Sequence, residues 1–388
     1  MALSLRAFVL AALSLSTALS ARADERLSAG LREEIVTVTR PGPIPLDLEA
    51  TLFRPPGDGP FPLVVVNHID GSSGSRNRQA RARYPILVRE LLARGYAVAI
   101  PERAGFAKSG GQPIASGCNP QGAAASSVDD VDGAIASLGR RADIDARRVV
   151  VIGFGWGGLV SVASGTRGDP AVAGTINVEG FAVKDSCPNW TLGLVDAMAG
   201  FGKAARVPSL WFYGVNNQLL SDDTWQDMAH AYTQAGATMR LVTEDAYGHD
   251  ARTVFESVRG IRAWLPEFDR FFRELGLPFD VRHRVVIEDH ATPPPAPSGF
   301  ARIDDVAAVP GLNDAGRTAY ARFLLQPPPR AFALGPGGAS WWIANSPRAM
   351  QRALDECALS AHGKPCRLYA VDDDVVWQPV AAIAEAAR

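Results

Sequence analysis

Short apolar segments, many rich in valine and isoleucine, alternate with segments of helical periodicity over residues 60–276. The apolar segments predict buried strands at 63–66, 96–100, 149–152, 173–178, 209–213 and 239–244. Helices are predicted at 79–94, 129–138, 223–235 and 253–276, with another beginning at Leu159. Apolar strands that alternate with helices indicate a parallel sheet covered by helices on both faces.

Two segments near the start of this region follow a different pattern. Residues 34–39 and 46–53 alternate apolar with polar positions, which predicts a half-buried antiparallel pair of strands. Ser126 or Ser127 is the predicted cap of the helix at 129–138. The pattern as a whole predicts an α/β domain over residues 24–289.

A composition shift at 290–298, His-Ala-Thr-Pro-Pro-Pro-Ala-Pro-Ser, predicts a stiff proline-rich linker. Beyond it, helices are predicted at 313–325 and 347–360, and strands at 330–334, 340–343 and 367–371. These elements predict a small α+β C-terminal domain over 299–388. No internal repeat is visible.

The N-terminal residues have the features of a secretory signal peptide. Arg6 precedes an apolar run over 7–19, and Ala21-Arg22-Ala23 follows as a cleavage site. The run is too short to span a bilayer, and no later apolar run reaches 18 residues. We therefore expect cleavage before Asp24 and export to the periplasm or the medium, with an uncleaved membrane anchor as the alternative.

The net charge and the cysteines limit the classes of binding partner and of covalent or metal cross-link that we expect. A net charge of −2 gives no electrostatic reason to expect nucleic acid or an anionic membrane as partner. Four cysteines in an exported chain predict two disulfides, and pairing Cys118 with Cys187 and Cys357 with Cys366 keeps each bridge within one domain. Cys-x-x-Cys and His-x-x-x-His spacings are absent, so a metal site is not expected. No cofactor is expected either. The oligomeric state stays open.

The glycine-rich turn after the strand at 149–152 carries the main functional signal. Gly-Phe-Gly-Trp-Gly-Gly at 153–158 joins that strand to a helix, which is the context of a nucleophile elbow, G-x-S-x-G. The central position, Gly155, has no side-chain atom that can attack a carbonyl. Glycine freely adopts the positive φ that an elbow requires, so it suits the turn once attack is no longer needed.

Residues 45–275 resemble the dienelactone-hydrolase-like branch of the α/β-hydrolase superfamily, particularly its exported bacterial members. The resemblance rests on Val-Val-Asn-His at 65–68, the glycine turn at 153–158, Leu-Trp-Phe-Tyr-Gly-Val-Asn-Asn at 210–217 and Tyr-Gly-His-Asp at 247–250. It implies the α/β-hydrolase fold, with a mostly parallel eight-stranded sheet, and a hydrolase of esters or lactones. It also implies a catalytic triad in the order nucleophile, acid, histidine.

Two of the three triad positions depart from the family pattern. The resemblance places the histidine at His249, but the acid position is Asn217, whose neutral amide cannot stabilise an imidazolium as a carboxylate does. Glu179, at the end of the preceding strand, or Asp250, beside His249, could replace the acid. The alternative for both carboxylates is a solvated surface position.

The oxyanion side departs as well. His68 and Ile69 lie where the family usually has His-Gly and builds half of the oxyanion hole, so a bulky residue replaces a glycine. Trp156 either forms an aromatic wall of the cleft, with its N–H free for a carbonyl or carboxylate oxygen, or packs in the core. The serines at 72, 73 and 161 are interpreted as turn or helix residues rather than as replacement nucleophiles.

Three hypotheses follow. The first is a degenerate, non-catalytic hydrolase fold that binds a small carbonyl- or carboxylate-bearing ligand or a partner, in a cleft enlarged by the missing Oγ. The second is a weak or atypical ester or lactone hydrolase, in which His249 activates a water. The third is a cell-envelope interaction module centred on Trp341 and Trp342, for which burial inside a hairpin is the alternative.

Overall fold

The computed structural model describes residues 27–379. Within that range it leaves out 71–75, 115–116, 183–185, 248–250, 257–259, 286, 288–289, 327, 345 and 347. The predicted signal peptide therefore lies outside the described residues, and its cleavage stays a prediction. No helix in the described ranges is long and apolar enough to cross a membrane.

Eight strands form one mostly parallel sheet. They are β1 (Glu34–Arg40), β2 (Leu46–Phe53), β3 (Phe61–Asn67), β4 (Ala97–Pro101), β5 (Ile144–Phe154), β6 (Val172–Val178), β7 (Ser209–Gly214) and β8 (Met239–Glu244). Their order is β1-β2-β4-β3-β5-β6-β7-β8. The β1–β2 and β2–β4 pairs are antiparallel and the other pairs are parallel, which confirms the predicted sheet.

Helices cover both faces of the sheet. They are α1 (Pro85–Ala93), α2 (Pro120–Leu138), α3 (Trp156–Ser164), α4 (Trp190–Ala204), α5 (Asp222–Gln234) and α6 (Ile261–Glu274). One apolar core lies between the sheet and α2 to α5, and the other lies between the sheet and α1 and α6. This division follows from side chains that point alternately to the two faces of each buried strand.

Several helix boundaries differ from prediction. Helix α2 begins at Pro120, where Asn119 caps it by accepting from the Gly122 N–H. Ser126 and Ser127 are not caps, since their hydroxyls donate to carbonyls one turn back inside the helix. Helix α1 begins later than predicted, at a proline that suits the first helical turn. A six-residue 3-10 turn replaces the start of the predicted helix at 253–276.

Helix α4 was not predicted, although its apolar positions have helical spacing. Its buried side chains are Leu194, Ala197, Met198 and Phe201, a pattern of steps of three and four. Three glycines in the segment lower its intrinsic helix propensity, and packing against the neighbouring helices compensates for this. Packing against the neighbouring helices, and not local propensity, therefore stabilises α4.

Residues beyond 313 build a second, antiparallel sheet with one helix on each face. Its elements are α7 (Asp314–Phe323), β9 (Ala331–Leu334), β10 (Ser340–Ile343), α8 (Ala349–Ser360), β11 (Arg367–Val371) and β12 (Asp374–Val375), in the strand order β10-β9-β11-β12. Helix α7 packs with the core cluster around Phe332, and α8 packs with the cluster around Ala333. The predicted α+β elements are present, with β12 in addition, whereas the domain limits stay a prediction.

Contacts tie the proline-rich segment to the second sheet. His290 Nε2 lies 2.9 Å from Asp372 Oδ2, and the Ser298 N–H donates to the Val375 carbonyl. The predicted disulfides Cys118–Cys187 and Cys357–Cys366 are both confirmed. The first joins the segments that precede α2 and α4, and the second joins α8 to the start of β11.

Candidate functional site

The turn between β5 and α3 has the geometry of a nucleophile elbow. Gly155 lies there with φ 53° and ψ −120°, and its N–H donates to the Val178 carbonyl. A Cβ on Gly153 would collide with the main chain of Gly157, and one on Gly157 would collide with that of Asn67. Both glycines are therefore required by the close approach of strand and helix. Helix α3 begins at Trp156, earlier than predicted.

The side chain of Ile69 fills the space in front of this turn. A Cβ built on Gly155 would lie 2.7 Å from Ile69 Cγ1 and 3.0 Å from Ile69 Cδ1, with Phe181 Cε1 at 3.6 Å. Carbon atoms in ordinary contact are about 3.5–4.0 Å apart. The expectation that the missing Oγ enlarges the cleft is therefore wrong, because Ile69 occupies the position.

The main chain of Ile69 is also engaged. Its N–H, on the loop to which the resemblance assigns half of the oxyanion hole, donates to Tyr84 Oη at 3.0 Å. The Tyr84 ring stacks on Phe154, 4.4 Å between centroids, at the end of β5. A hydrogen-bond donor held by an internal hydroxyl is not free for a tetrahedral intermediate, which requires donors aimed at its oxyanion.

His68 is a buried, neutral residue that fixes this loop. Its Nδ1 lies 2.8 Å from the Ile69 carbonyl, and its Nε2 accepts the Arg103 main-chain N–H at 3.1 Å. This hydrogen-bond pattern assigns the proton to Nδ1. Burial, together with the Arg103 guanidinium, holds the pKa of His68 well below its usual range. Both ring nitrogens of His68 therefore make hydrogen bonds within the protein, and neither is available to a ligand.

The Arg103 side chain binds the same loop through its guanidinium group. Its guanidinium donates to the His68 carbonyl and to Asp70 Oδ1, and it lies over the Phe106 ring at 4.7 Å from the centroid. The adjacent Glu102 accepts the Ala82 N–H at 2.6 Å. Burial raises the pKa of Glu102 to about 7. Sequence analysis missed Arg103, whose only signal is a charge directly after the buried strand β4.

Two residues, Glu179 and Asn217, lie together at the position where the acid of the triad is expected. Glu179, at the end of β6, is only 2% exposed and has φ +49°. Its Oε1 accepts the Gly214 N–H at 2.8 Å and its Oε2 accepts Asn217 Nδ2 at 2.6 Å. Asn217 Oδ1 in turn accepts the N–H groups of residues 219 and 220. The surface alternative for Glu179 is wrong, and a buried carboxylate lies beside the position where the family's acid is expected.

A second buried carboxylate, missed by sequence analysis, lies at the end of β8. Glu244 is 6% exposed, and neither of its carboxylate oxygens has a hydrogen-bond partner among the described residues. Burial, reinforced by the charge of Glu179, raises the pKa of Glu244 to about 8. Glu244 is therefore mostly protonated at neutral pH. Its sequence signal was a charged residue at the carboxyl end of a parallel strand.

Some predicted site residues lie outside the described part of the chain, namely His249, Asp250, Ser72 and Ser73. Ser161 is described and is buried in α3, where its hydroxyl donates to the Gly158 and Ile176 carbonyls. Its interpretation as a helix residue is confirmed. Among the described side chains, no group of three or more His, Cys, Asp and Glu residues could hold a metal ion.

A small polar cavity lies beside Trp156. It encloses about 20 Å³, enough for one water molecule or one ligand oxygen. Its charged lining residues are Arg76, Arg103, Asp70 and Asp130. The Arg76 Nε has no hydrogen-bond partner within the described ranges. Trp156 is buried, so packing in the core accounts for most of its side chain.

Comparison with solved structures gives similarity at low identity. A Klebsiella pneumoniae protein assigned as a dienelactone hydrolase is 18% identical, with a TM-score of 0.45 over 63% of this chain and 98% of that one. A Pyrococcus furiosus esterase is 17% identical, with a TM-score of 0.47 over 63% and 92%. An acylaminoacyl peptidase from Pyrococcus horikoshii is 15% identical, with a TM-score of 0.47 over 65% and 43%.

No curated protein matches the chain significantly. The sequence model of the X-Pro dipeptidyl-peptidase family, S15, matches residues 46–253, which is more than half of the 388 residues. The matched segment runs from β2 through the elbow to the loop after β8, and the strand order is that of the α/β-hydrolase fold. The chain belongs to the S15 family of X-Pro dipeptidyl-peptidases, within the α/β-hydrolase superfamily that its sequence resembles.

Proposed function

We propose that this protein is a non-hydrolytic member of its family, which binds a ligand or partner at the carboxyl end of the main sheet and does not cleave it. The proposal rests chiefly on one observation, the 2.7 Å between Ile69 Cγ1 and a Cβ built on Gly155. A hydrolase that had lost only its nucleophile would keep room for one. Here a second residue has taken that room.

The loop around Ile69 supports the same proposal. Its N–H donates to Tyr84, and His68 uses both ring nitrogens to hold the loop. Three features are therefore altered together: the nucleophile position at Gly155, the space in front of it that Ile69 fills, and the Ile69 N–H on the oxyanion side. Changes at three coupled positions are what loss of selection for acyl transfer would produce, whereas one isolated substitution would leave the other two unchanged.

The cavity beside Trp156 supports a binding role. Arg76 Nε is a buried donor without a partner in the described structure, and Arg103 lines the same cavity, as do the carboxylates of Asp70 and Asp130. A donor of this kind costs about 1–3 kcal/mol unless it is satisfied. A carbonyl or carboxylate oxygen entering the cavity would satisfy it, so the proposed ligand carries such a group.

A hydrolysis assay tests the proposal. Wild type, Gly155→Ser, Ile69→Ala and the double variant are incubated with p-nitrophenyl acetate, a γ-lactone and Ala-Pro-p-nitroanilide. We expect the first three proteins to give no turnover above buffer and no acetylation by intact mass. The double variant has both a hydroxyl and the space for it, and we expect slow acetylation there.

Turnover by the wild type at the rate of an ordinary esterase would contradict the proposal. The specific alternative is weak hydrolysis by a water that His249 activates, and the buried carboxylate of Glu179 favours it, since such a dyad needs an acid. In that case His249→Ala abolishes the turnover and Glu179→Gln lowers it, whereas the matched exposed change Asp58→Asn leaves it unaltered.

The cellular setting belongs to the same proposal. An exported protein with two disulfides would act in an oxidising compartment. The limits 24–289, 290–298 and 299–388 are the proposed units, the last two being joined by the contacts of His290 and Ser298 with the second sheet.

A further inference from the structure

A groove of about 510 Å³ opens beside β10, the strand at one edge of the second sheet. The start of α7, the β9–β10 hairpin and Ser360 at the end of α8 form its walls together with β10 itself. None of the described side chains that line it carries a charge. This volume is within the range of sites that hold small organic ligands.

An exposed indole forms part of one wall. Trp341 is 43% exposed although it lies in a strand of the sheet, and it faces the small residue Ala333 on β9. Trp342 also lines the groove but packs partly against the core around Tyr320 and Phe332. The strand therefore places a large, flat apolar side chain at the wall of the groove.

No described strand pairs with the outer edge of β10, so the main-chain N–H and C=O groups on that edge have no strand partner. The Gly335 N–H donates to the Ala339 carbonyl, so the hydrogen-bonded pairs of the hairpin continue at Ala333 with Trp341. In an antiparallel ladder the alternate residues direct their N–H and C=O groups away from the partner strand. Ser340 and Trp342 therefore present donors and acceptors to the groove side.

Asn313 adds a side-chain donor. Its Oδ1 accepts the Gly316 N–H at 2.8 Å and caps α7. This bond orients the amide, and its Nδ2 then lies toward Gly338, which is another lining residue: a Cβ built there would be 3.7 Å away. The groove thus combines one aromatic face with fixed uncharged donors and acceptors.

We infer that this groove binds a neutral saccharide of one or two rings. The C–H face of a sugar packs on an indole, while its hydroxyls both donate and accept hydrogen bonds. A charged ligand would lose hydration without a counter-charge in the groove. A purely aliphatic ligand would leave the polar groups of Ser340 and Trp342 desolvated and unpaired. The inference concerns the second sheet and is independent of the proposed loss of hydrolysis.

Calorimetric titration of the full chain tests the inference with cellobiose, maltose and N,N′-diacetylchitobiose as probes. We expect at least one to bind with a millimolar or lower Kd, and Trp341→Ala to weaken it about tenfold or more. Trp341→Phe keeps an aromatic face and should retain most of the binding. Leu359→Ala is the matched control, because that side chain is 73% exposed on α8 but does not line the groove.

Asn313→Asp is a second variant for the same binding experiment. It keeps an oxygen for the α7 cap but removes the Nδ2 donor, so binding should weaken severalfold without a fall in the melting temperature. Failure of all three sugars to bind, or binding that Trp341→Ala leaves unchanged, overturns the inference. So does binding of an acetylated, amidated Thr-Val-Thr-Val peptide in the absence of sugar binding, which would assign the edge to strand pairing.

Discussion

Gly155 and Ile69 are complementary in shape, although they are far apart in the chain. The glycine leaves open a volume that a serine, cysteine or aspartate would fill in an active relative, and the isoleucine side chain enters it. Because a Cβ on Gly155 would lie 2.7–3.0 Å from two Ile69 side-chain carbons, a side chain fits at position 155 without overlap only if Ile69 moves or is replaced by a smaller residue. The absence of an attacking atom at Gly155 is thus accompanied by van der Waals packing of Ile69 against the same position.

The first prediction concerns this pair. Gly155→Ser should lower the free energy of unfolding by about 1–3 kcal/mol, because a Cβ there is strained at φ 53° and overlaps Ile69. In an Ile69→Ala background the cost should fall by about 1 kcal/mol, leaving the backbone strain. A double-mutant cycle by urea denaturation measures this coupling.

Gly193→Ala in α4, where the new Cβ would make ordinary contact with Pro120 at 3.9 Å, is the matched glycine control and should be neutral or slightly stabilising. Additive losses in the cycle would show that Ile69 does not occupy the position of the nucleophile.

The second prediction concerns Glu244. Burial raises its pKa from 4.5 to about 8, so the folded protein holds a proton that the unfolded chain releases above its ordinary pKa. Stability from this group therefore falls as pH rises from about 5 to about 8 and then levels off. Glu244→Gln should flatten that part of the profile and raise the free energy of unfolding near pH 8 by roughly 1–3 kcal/mol.

Chemical denaturation of both proteins at half-unit pH steps checks this prediction. Asp58→Asn, which removes an exposed carboxylate, should leave the profile between these pH values as it is in wild type. A Glu244→Gln profile parallel to that of wild type would mean that Glu244 is already ionised in the folded protein.

At the scale of elements, one disulfide connects two adjacent helices on the same face of the sheet. Cys118 precedes Asn119, the cap of α2, and Cys187 lies just before α4. Helix α4 is rich in glycine and has little intrinsic tendency to form. The bridge therefore anchors the start of a helix that its own sequence specifies weakly.

The third prediction compares the two bridges. The Cys118–Cys187 bridge closes a loop of 69 residues and the Cys357–Cys366 bridge one of 9. Chain entropy then predicts that Cys118→Ala with Cys187→Ala costs roughly 4 kcal/mol, about 2 kcal/mol more than the corresponding change at Cys357 and Cys366. Urea denaturation of the two double variants measures the difference, and equal losses would refute the entropic account.

At the scale of the whole molecule, the chain combines a sheet of the α/β-hydrolase fold with a second sheet that has its own helices and core. The proposed export places both in an oxidising compartment, where the two disulfides persist. Binding at either sheet, and not turnover, would then be the activity under selection.

The fourth prediction follows from the N-terminal pattern. Protein expressed from the full sequence in a bacterium should be recovered from the periplasm or the medium with Asp24 as its first residue, because Ala21 and Ala23 supply the small residues that signal peptidase requires. N-terminal sequencing reads this directly. Ala23→Arg should block cleavage and the matched change Arg22→Ser should not. Recovery of uncleaved wild type in the membrane would support the anchor alternative.

The sequence by itself determined the sheet, the elbow and the missing nucleophile. Each of these depends on local pattern: runs of β-branched residues specify buried strands, and a glycine turn between strand and helix specifies the elbow. The cysteine pairing was also predictable, because only one pairing kept each bridge within a predicted domain. Helix α4 and the early start of α2 were not, since tertiary packing and the Asn119 cap outweigh weak intrinsic propensity.

Only the tertiary structure decided how the site is filled. Sequence left Glu179 open between acid and surface residue, and its contacts with Gly214 and Asn217 depend on β6 and β7 ending at the same edge of the sheet. It placed a bulky residue at Ile69 without showing that this side chain enters the space before Gly155. Contacts between distant segments fix burial, tautomer and pKa, and a linear pattern does not encode which segments will meet.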